Sequence, residues 1–551
     1  MMPLPWAISL FFAAVGASQD GPKLGAVASE SAVCSRIGTR LLQSGGSAAD
    51  AIVGTILCVG TVAMYHSGIG GGGFMTIRAA GGERYETVDF REVAPAAAFE
   101  DMFKNNSDAS NFGGLASGVP GELRGLQYLH TKYGKLDWSQ LVMPSVHLAR
   151  YGFVVTDDLA SRMSSEANSF LTGDPAWAMD FAPRGRRLQK GQVMTRKRYA
   201  DTLERIAVDG VDAFYSGAIA QATIAALQAR NGTMTMADLA NYAVVHRKPV
   251  HIDYRGVRLT SCNAPSGGIV ALSALNILGG YDRFGDSFHL DTHRLDEAIK
   301  LAYGQRTKLG DPSFTDVANL TAAMVSPQHG HRLRSQISDL TTRDVSWYDP
   351  DRFESHDSRG TSHMVAADAT GLAVSLTTTV NALFGSRLMV PETGIVMNNQ
   401  MNDFSIPGVS NGYGYVPSPS NFIRPGKRPL SSISPVIAET SQGRLLFSIG
   451  AAGGSRITTA TIQNIIHLLD RRMNMADALG QPRLHDQLLP PHVSFEYPFD
   501  NGTVAFMKSL HHNVTWVAPG QSTAQGLRLL PNGTFEAAGE PRQLNSGGFA
   551  V

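Results

Sequence analysis

Apolar positions recur at helical spacing through most of the first two thirds of the chain. Residues 24–64 read as one strand followed by two helices, and residues 115–330 are mostly helical, with breaks at Gly, Pro, Asn and Asp. An alternating segment, HIDYRGVRLTSC at 251–262, predicts a short β interruption. From residue 361 strands dominate, apart from one long helix around Thr458–Arg472. A helical first part and a strand-rich second part that share one core predict a layered α+β protein.

A glycine-rich loop, GIGGGGF at 68–74, lies between a predicted helix and a predicted strand. Dinucleotide binding requires the opposite order, with the strand first, and a P-loop requires a Lys-Ser/Thr pair that is missing here. We therefore interpret the loop as a tight turn at which backbones pack closely. The segment that follows, MTIRAAGGERYETVDF, predicts a hairpin with a Gly-Gly turn at 81–82.

Composition excludes some classes of function. The 551 residues include 47 Lys+Arg and 47 Asp+Glu, so no net field attracts nucleic acid or an anionic membrane. The 43% hydrophobic share allows a large core, and 57 glycines argue against a simple helical bundle. The 16 histidines show neither H-E-x-x-H nor metal-ligand spacing with cysteine, and His511-His512 read as solvated loop residues. We expect no metal and no cofactor.

The N-terminus carries one apolar stretch, MMPLPWAISLFFAAVGAS at 1–18, that ends in small residues. It predicts a cleaved signal peptide, with Val15 and Ala17 in the small-residue pattern. A short uncleaved anchor is the alternative, although the stretch is shorter than the roughly 20 residues of a span. N-x-Ser/Thr sequons support secretion, or else a membrane-anchored or vacuolar location, and predict exposed glycosylation sites at Asn105, Asn231, Asn319, Asn501, Asn513 and Asn532.

Two of the three cysteines lie on neighbouring predicted helices. Cys34 precedes a Gly-Gly loop, after which Ser47 and Asp50 form a capping-box signature at the start of the helix that carries Cys58. In an antiparallel pair with about 1.5 Å rise per residue, both cysteines reach nearly the same height. A Cys34–Cys58 disulfide is therefore predicted, with two buried free thiols as the alternative. Cys262 is expected to be buried and free.

The stretch FESHDSRGTSHMVAADATGLAVSLTTTVNALFG at 353–385 changes from a polar run to a strand–turn–strand pattern at Thr361. If the Gly360–Thr361 bond were cut, Thr361 would gain an α-amine with a pKa of about 7.7–8.0. That amine could act as general base for the hydroxyl of the same residue. The hydroxyl could also make the cut by attacking the Gly360 carbonyl, which glycine leaves unshielded. The alternative is that Thr361 merely begins a β-strand.

Several motifs in fixed order carry a family resemblance. TSHMVAADATGLAVSLTTTVNALFGS, ETGIVMNNQMNDFS, RPLSSISP and GAAGGSRI resemble the small subunit of the γ-glutamyltranspeptidase (glutathione hydrolase) family. GGSAADAIV, GIGGGGF, VDFREVAP and SGVPGE resemble its large subunit, so the resemblance runs from about residue 24 to the C-terminus.

The resemblance implies a four-layer αββα N-terminal-nucleophile hydrolase that cuts itself into two subunits. A large subunit, 19–360, and a small catalytic subunit, 361–551, would form one core as a heterodimer. The family moves a γ-glutamyl group from glutathione or related γ-glutamyl compounds to water, amino acids or dipeptides. No nucleic acid partner is implied.

The resemblance also assigns roles to single residues. Thr361 would be the nucleophile, Thr379 its hydrogen-bond partner, and Gly453 and Gly454 the oxyanion donors. Arg91, Ser431 and Ser432 would hold the α-carboxylate of the donor. Asp403 would hold its α-ammonium with Asn381 and Gln400. The segment 407–429 has the place of a lid that Tyr413 or Tyr415 could gate, or is a plain surface loop.

Two other functions stay open. One is an amidase of the same fold acting on a cephalosporin side chain or on poly-γ-glutamate, but Arg91 and Asp403 favour a zwitterionic glutamyl end. The other is an unprocessed, inactive secreted binding protein, which the intact Gly360–Thr361 pair argues against.

Overall fold

A computed structural model describes residues 23–282, 284, 287–353, 360–408 and 416–551. The predicted leader at 1–18 and the lid tyrosines Tyr413 and Tyr415 lie outside the described residues. Within the described part, none of the helices combines the length and the apolar character that crossing a bilayer requires.

Helices occupy most of the first part of the described chain and recur near its end. In chain order the α-helices are α1 (Ala32–Gln43), α2 (Ala48–Val62), α3 (Glu122–Tyr133), α4 (Trp138–Tyr151), α5 (Asp157–Ser164), α6 (Phe170–Gly173), α7 (Pro175–Phe181), α8 (Lys197–Asp209), α9 (Asp212–Tyr215), α10 (Gly217–Gln228), α11 (Met236–Ala240), α12 (Gly268–Leu278), α13 (Phe288–Arg306), α14 (Ala318–Met324), α15 (Pro327–Arg334), α16 (Val345–Tyr348), α17 (Arg456–Leu469), α18 (Met475–Gly480) and α19 (Asn501–Ser509).

Strands come from both parts of the sequence. They are β1 (Ala26–Ser29), β2 (Gly72–Arg78), β3 (Tyr85–Asp89), β4 (Phe153–Val154), β5 (Val193–Met194), β6 (Val245–Arg247), β7 (Val250–Tyr254), β8 (Val257–Ser261), β9 (Ser362–Ala367), β10 (Ala373–Thr379), β11 (Val436–Thr440), β12 (Leu445–Ala452), β13 (Leu484–His485), β14 (Val493–Glu496), β15 (Val514–Val517), β16 (Thr523–Leu529), β17 (Phe535–Ala538) and β18 (Gly547–Ala550).

Two antiparallel sheets form the centre of the molecule. The first sheet has the strand order β18-β1-β9-β10-β2-β3-β6, and the second has β17-β16-β12-β11-β8-β7. An apolar layer that includes Ala28, Val365, Ile437 and Leu527 fills the space between them. Helices α1 to α4 and α8 cover the outer face of the first sheet, and α12, α13 and α17 cover that of the second. The predicted αββα arrangement is confirmed.

The helix pair at the N-terminal end forms as the sequence predicts. Ser47 and Asp50 make the predicted capping box, in which the Ser47 N–H donates to Asp50 Oδ2 at 2.8 Å and the Asp50 N–H donates to Ser47 Oγ at 3.2 Å. Cys34 and Cys58 form the predicted disulfide with their Cα atoms 5.3 Å apart. Cys262 is free and buried. The two helices are thus joined covalently and packed against the first sheet.

The glycine-rich loop is a site of close backbone approach, as predicted. A Cβ added at Gly70, Gly71 or Gly73 would lie 2.0–2.1 Å from the carbonyl oxygens of Val396, Thr379 and Thr377, respectively. These glycines therefore let the entry to β2 pack directly against the chain around β10, the strand next to β9. The predicted hairpin also forms, from β2 and β3, with Gly81 and Gly82 at positive φ.

Two helices in the second part were not predicted. The long helix forms as α17, but α18 and α19 also interrupt the strands. Each is short and begins at a side-chain cap, Asn474 for α18 and Asp500 for α19. A few residues give too little periodicity to separate such a helix from a turn.

All six sequon asparagines are exposed, at the surface positions that the sequons predict.

Candidate active site

Thr361 lies immediately before β9, a central strand of the first sheet, and in the described chain it is still joined to Gly360. Strand β9 pairs with β1 on one side and β10 on the other, with Ser362 opposite Thr378. Thr361 is buried, with 6% of its surface exposed. The sheet therefore fixes the chain on the C-terminal side of the Gly360–Thr361 bond, from Ser362 onward.

Two threonine hydroxyls point at the Gly360 carbonyl. Thr361 Oγ1 lies 2.5 Å from the carbonyl oxygen, and Thr379 Oγ1 lies 2.6 Å from it. The Asn381 backbone N–H donates to Thr379 Oγ1 at 2.7 Å, which leaves the Thr379 proton for the carbonyl. In the uncut chain Thr379 thus polarises the Gly360 carbonyl, whereas the family resemblance implies that it bonds the nucleophile.

Replacing Thr379 by valine removes one of these donors while keeping the shape of the side chain. Because one donor at a developing oxyanion contributes about 10² in rate, we expect cleavage at Gly360–Thr361 to slow by that factor. The time course of the band split on a denaturing gel measures it. Thr379→Ser keeps the hydroxyl and should process at close to the normal rate; equal rates for valine and serine would exclude the donor role.

Gly360 cannot be exchanged for a larger residue. Its φ of 142° lies in the region that favours glycine, and an added Cβ would be 2.4 Å from the Asn381 oxygen and 2.9 Å from the Ala382 carbonyl carbon. The chain that follows β10 therefore packs against Gly360 and leaves no room for a side chain there. This contact explains structurally why glycine precedes Thr361.

Gly453 and Gly454 connect β12 to α17 and have φ angles of 121° and 62°. No carbonyl or side chain of the described residues accepts a hydrogen bond from either backbone N–H. Gly453 also lines a cavity together with Thr361. Two free N–H groups at a helix entry, near Thr361, have the properties of an oxyanion hole.

Arg91 is buried and pairs with Asp403, not with the neighbouring Glu92. Gln400 Nε2 donates to the same Asp403 Oδ2 at 2.7 Å. Two buried atoms of this group, Arg91 Nε and Gln400 Oε1, have no hydrogen-bond partner among the described residues. Arg91 Nε is a donor on a cation, so it complements a carboxylate. Gln400 Oε1 is an acceptor beside the Asp403 anion, so it complements an ammonium.

The remaining predicted site residues lie nearby but have other partners. Ser432 Oγ accepts from Arg306 at 3.2 Å, and Ser431 Oγ accepts from the Ile433 N–H at 3.1 Å. Asn381 Nδ2 donates to the Asn399 carbonyl at 3.0 Å and does not reach Asp403 in this structure.

Arg306, on α13, is a buried cation that the sequence analysis did not single out. Burial lowers its pKa, and the charges of Asp403 and Arg91 also act on it. Because α13 gives a long helical pattern with no motif, nothing local distinguishes Arg306 from a surface arginine. We expect it to add positive charge beside Ser432.

Glu92 is a second residue that the sequence analysis did not assign to the site. It is fully buried, and neither carboxylate oxygen has a hydrogen-bond partner among the described residues. Burial raises the pKa of Glu92 to about 8, although the Arg91 charge lowers it. At neutral pH the carboxyl is therefore mainly protonated.

Glu92→Gln should remove a pH-dependent loss of stability. Between the ordinary pKa of 4.5 and the folded value of about 8, the folded chain keeps a proton that the unfolded chain has released. Stability then falls as pH rises, by up to about 1.4 kcal/mol per pH unit. We expect the variant to gain unfolding free energy over the native chain from pH 5 to pH 8, as measured by denaturant titration. Glu83→Gln, at an exposed position, is the control; parallel curves for Glu92→Gln would contradict the assignment.

His363 supports the site by packing. Its ring lies against Gly450 of the second sheet, where an added Cβ would be 2.4 Å from Cε1. Its Nδ1 is bonded to Thr377 Oγ1 at 2.8 Å, and burial lowers its pKa to about 3. It is therefore a neutral spacer between the sheets.

One group of residues has the geometry of metal ligands. His293, Glu297 and His512 each place a possible ligand atom within 4.8 Å of the other two. The prediction that His512 is solvated was wrong, because His512 is buried and bonds His293 at 2.7 Å. These histidines are more than 200 residues apart, so sequence spacing could not reveal the pair.

Two antiparallel sheets between helical layers, with a Gly–Thr bond at the start of a central strand, define the class of N-terminal-nucleophile hydrolases. The model of the family described as Gamma-glutamyltranspeptidase matches residues 34–549. The chain belongs to the γ-glutamyltranspeptidase family.

Relatives and solved structures agree with this membership. The chain is 54% identical to a glutathione hydrolase proenzyme of Arthroderma benhamiae, covering 99% of this chain and 96% of that protein. It is 50% identical to a glutathione hydrolase of Aspergillus flavus, covering 97% and 91%. Among solved structures, a cephalosporin acylase of Bacillus halodurans aligns with a TM-score of 0.84 at 25% identity, covering 100% and 98%.

Proposed function

We propose that the chain is the precursor of a self-processed γ-glutamyl hydrolase/transferase that acts on glutathione and related γ-glutamyl compounds. One observation carries the proposal: the hydroxyls of Thr361 and Thr379 meet at the Gly360 carbonyl, in the same fold as the buried Arg91–Asp403 pair. The names of the relatives, glutathione hydrolase and its proenzyme, support the same substrate.

Cleavage begins when Thr361 Oγ1 attacks the Gly360 carbonyl carbon. The C–N bond breaks as the C–O bond forms, and the hydroxyl proton passes to the departing nitrogen, which leaves an ester and a free α-amine. Water then hydrolyses the ester. The products are a large subunit that ends at Gly360 and a small subunit that starts at Thr361, which form a heterodimer.

Turnover repeats this chemistry on a substrate amide. The new α-amine of Thr361 takes the proton of its own hydroxyl as Oγ1 attacks the γ-carbonyl. Gly453 and Gly454 donate to the oxyanion, and the α-amine then protonates the departing amine. The γ-glutamyl-Thr361 ester is released by water, or by an amino acid or dipeptide whose amine attacks it.

Donor recognition requires a receptor for two opposite charges on one carbon. Arg91 and Ser432 face the α-carboxylate, with Arg306 behind Ser432, and Asp403 and Gln400 face the α-ammonium. The unpartnered Arg91 Nε and Gln400 Oε1 are the atoms that a zwitterion would satisfy. A glutaryl or adipyl chain keeps a carboxylate but has no ammonium, so it would leave Gln400 Oε1 unpaired. This argues against the cephalosporin-type alternative, despite the fold similarity.

Release of a chromogenic anilide from its γ-glutamyl derivative tests the proposal directly. The purified protein should migrate as two bands split near residue 360 and should release the anilide. It should not release an adipyl or glutaryl anilide, which lacks the α-ammonium. A single full-length band with no turnover would support an inert binding protein, and preference for the glutaryl compound would support the acylase alternative.

The six exposed sequons and the leader support a secretory location.

A further inference from the structure

The loop that carries Gly453 and Gly454 has no side chains of its own with which to hold its two N–H groups in place. Strand β12 ends at Ala452, and the two glycines lead into α17, whose N-cap residue is Ser455. Glycine gives such a loop conformational freedom, whereas the donors of an oxyanion hole must keep a fixed direction to be effective. Other parts of the molecule must therefore restrain the loop.

The first turn of α17 sets the direction of the Gly454 N–H. The Arg456 N–H donates to the Gly453 carbonyl at 3.2 Å, and the Ile457 N–H donates to the Gly454 carbonyl at 3.1 Å. Because the peptide unit that joins the two glycines is planar and trans, the Gly454 N–H points opposite to the Gly453 carbonyl. A shift of the helix entry therefore turns the Gly454 N–H with it.

A buried tyrosine hydroxyl holds this helix entry from a neighbouring helix. Tyr303 lies on α13, is 1% exposed, and donates its hydroxyl proton to the Ser455 carbonyl at 2.6 Å. Burial raises the pKa of Tyr303 to about 12, so the phenol keeps this proton at neutral pH. The His485 ring packs edge-on against the tyrosine ring, with 6.4 Å between the centroids. The Ser455 carbonyl is thus held by a side chain that close packing keeps in one position.

The same helix also contacts the donor group. Arg306 lies three residues after Tyr303, on the same face of α13, and donates to Ser432 Oγ at 3.2 Å. Tyr303 and Arg306 precede residue 360, whereas Ser432 and Ser455 follow it. One helix of the part before residue 360 therefore contacts two site segments of the part after it, the serine pair and the oxyanion loop.

We infer that Tyr303 is a positioning residue for the oxyanion hole. Its hydroxyl holds Ser455, and through the first turn of α17 it keeps the Gly454 N–H directed at the γ-carbonyl oxygen as that oxygen becomes negative. The inference rests on the proposed function, which assigns Gly453 and Gly454 to the oxyanion of turnover. Tyr303 acts through the loop and neither takes nor gives a proton in the reaction.

Tyr303→Phe tests the inference, because it removes the hydroxyl and keeps the ring. We expect kcat for release of the γ-glutamyl anilide to fall about 10-fold, which is less than the 10²–10³ typical of losing one oxyanion donor outright. KM should stay within about two-fold, because Arg91 and Asp403 still hold the donor half. The Gly360–Thr361 bond should be cut at the normal rate, since the Gly360 carbonyl accepts from the Thr379 hydroxyl.

Tyr215→Phe is the matched control. Tyr215 is also 1% exposed, and its hydroxyl donates to a backbone carbonyl, that of Pro120, at 3.1 Å. It belongs to the core beside the first sheet, whereas α17 packs in the core beside the second. This variant loses the same kind of hydrogen bond, so it should lose a similar amount of stability and keep its kcat.

Inhibitor binding separates positioning from a general loss of structure. The probe is a boronic acid that carries the α-carboxylate and α-ammonium of glutamate. Its boron bonds to Thr361 Oγ1 and becomes tetrahedral, the hydroxyl proton passes to the Thr361 α-amine, and one boron-bound oxygen takes the oxyanion position. Glutamate itself fills only the donor group. For Tyr303→Phe we expect the inhibition constant of the boronic acid to rise by the factor by which kcat/KM falls, and that of glutamate to stay unchanged.

Each outcome decides a different question. An unchanged kcat in processed Tyr303→Phe overturns the inference, and so does an equal loss of kcat in Tyr215→Phe. A boronic acid constant that does not move while kcat falls also overturns it. Failure of Tyr303→Phe to split does the same, because the inference gives Tyr303 no part in the cut. A native protein that splits but turns over no γ-glutamyl donor overturns the proposed function instead.

Discussion

A chain carrying Thr361→Ala is expected to remain in one piece and to turn over no γ-glutamyl donor. Alanine removes the hydroxyl that lies 2.5 Å from the Gly360 carbonyl oxygen, so neither the acyl shift nor the substrate ester can form. Loss of a nucleophile from a comparable hydrolase costs on the order of 10⁶ in kcat, and we expect a loss of at least roughly 10⁴ here. A denaturing gel, N-terminal sequencing and anilide release measure it.

Thr361→Ser is the matched control, because it keeps the hydroxyl and removes only a methyl group. It should still split, and its new terminus should read Ser-Ser-His-Met where the native protein gives Thr-Ser-His-Met. Since the Thr361 side chain is nearly buried but small, alanine should unfold at a similar temperature. Normal turnover by Thr361→Ala would refute the nucleophile and the cleavage together.

Asp403→Asn is expected to lower kcat/KM for a γ-glutamyl donor on the order of 10³-fold. The change removes one charge of the buried pair with Arg91 and leaves the guanidinium uncompensated, which typically costs about 2–5 kcal/mol at a recognition site. It also removes the anion that would hold the α-ammonium. Steady-state kinetics on glutathione and on the anilide should show the same loss, since both share the donor half.

Folding of this variant is checked by its own processing. Gln400 can still donate to the side-chain amide oxygen that takes the place of Asp403 Oδ2, so the local chain should hold and the Gly360–Thr361 cut should proceed. Asp253→Asn is the control, because the Asp253 side chain is 77% exposed. If Asp403→Asn cut normally and kept full activity, Asp403 would not bind the donor.

Local pattern was enough for the parts of this fold that depend on neighbours in sequence. The Ser47–Asp50 capping box, the hairpin of β2 and β3 and the strand pair of β9 and β10 each need only a few adjacent residues, and each formed as predicted. Motif resemblance supplied Arg91 and Asp403, which pair across more than 300 residues. Composition and periodicity alone would not have predicted that these two residues pair.

Groups assembled by the tertiary fold escaped prediction. Arg306 and Glu92 are charged residues in ordinary helical or strand-flanking patterns, and only burial reveals them as part of the site region. The direction of the Thr379 hydroxyl depends on the Asn381 N–H two residues further on, which is a detail of backbone geometry. The His66–Glu30 pair forms between the chain just after β1 and the chain just after α2, and no residue spacing encodes it.

The strand order of the first sheet has a practical consequence for the association of the two parts of the chain, before and after residue 360. Counting from one edge, β18 belongs to the part after residue 360, β1 to the part before it, β9 and β10 to the part after, and β2, β3 and β6 to the part before. Backbone hydrogen bonds therefore join the parts before and after residue 360 at three strand pairs of this sheet, β18–β1, β1–β9 and β10–β2. A fourth pair, β11–β8, joins them in the second sheet. If the Gly360–Thr361 bond is cut, these strand pairs should keep the two parts together. A native gel should then show one species, and only a denaturant should separate the two parts.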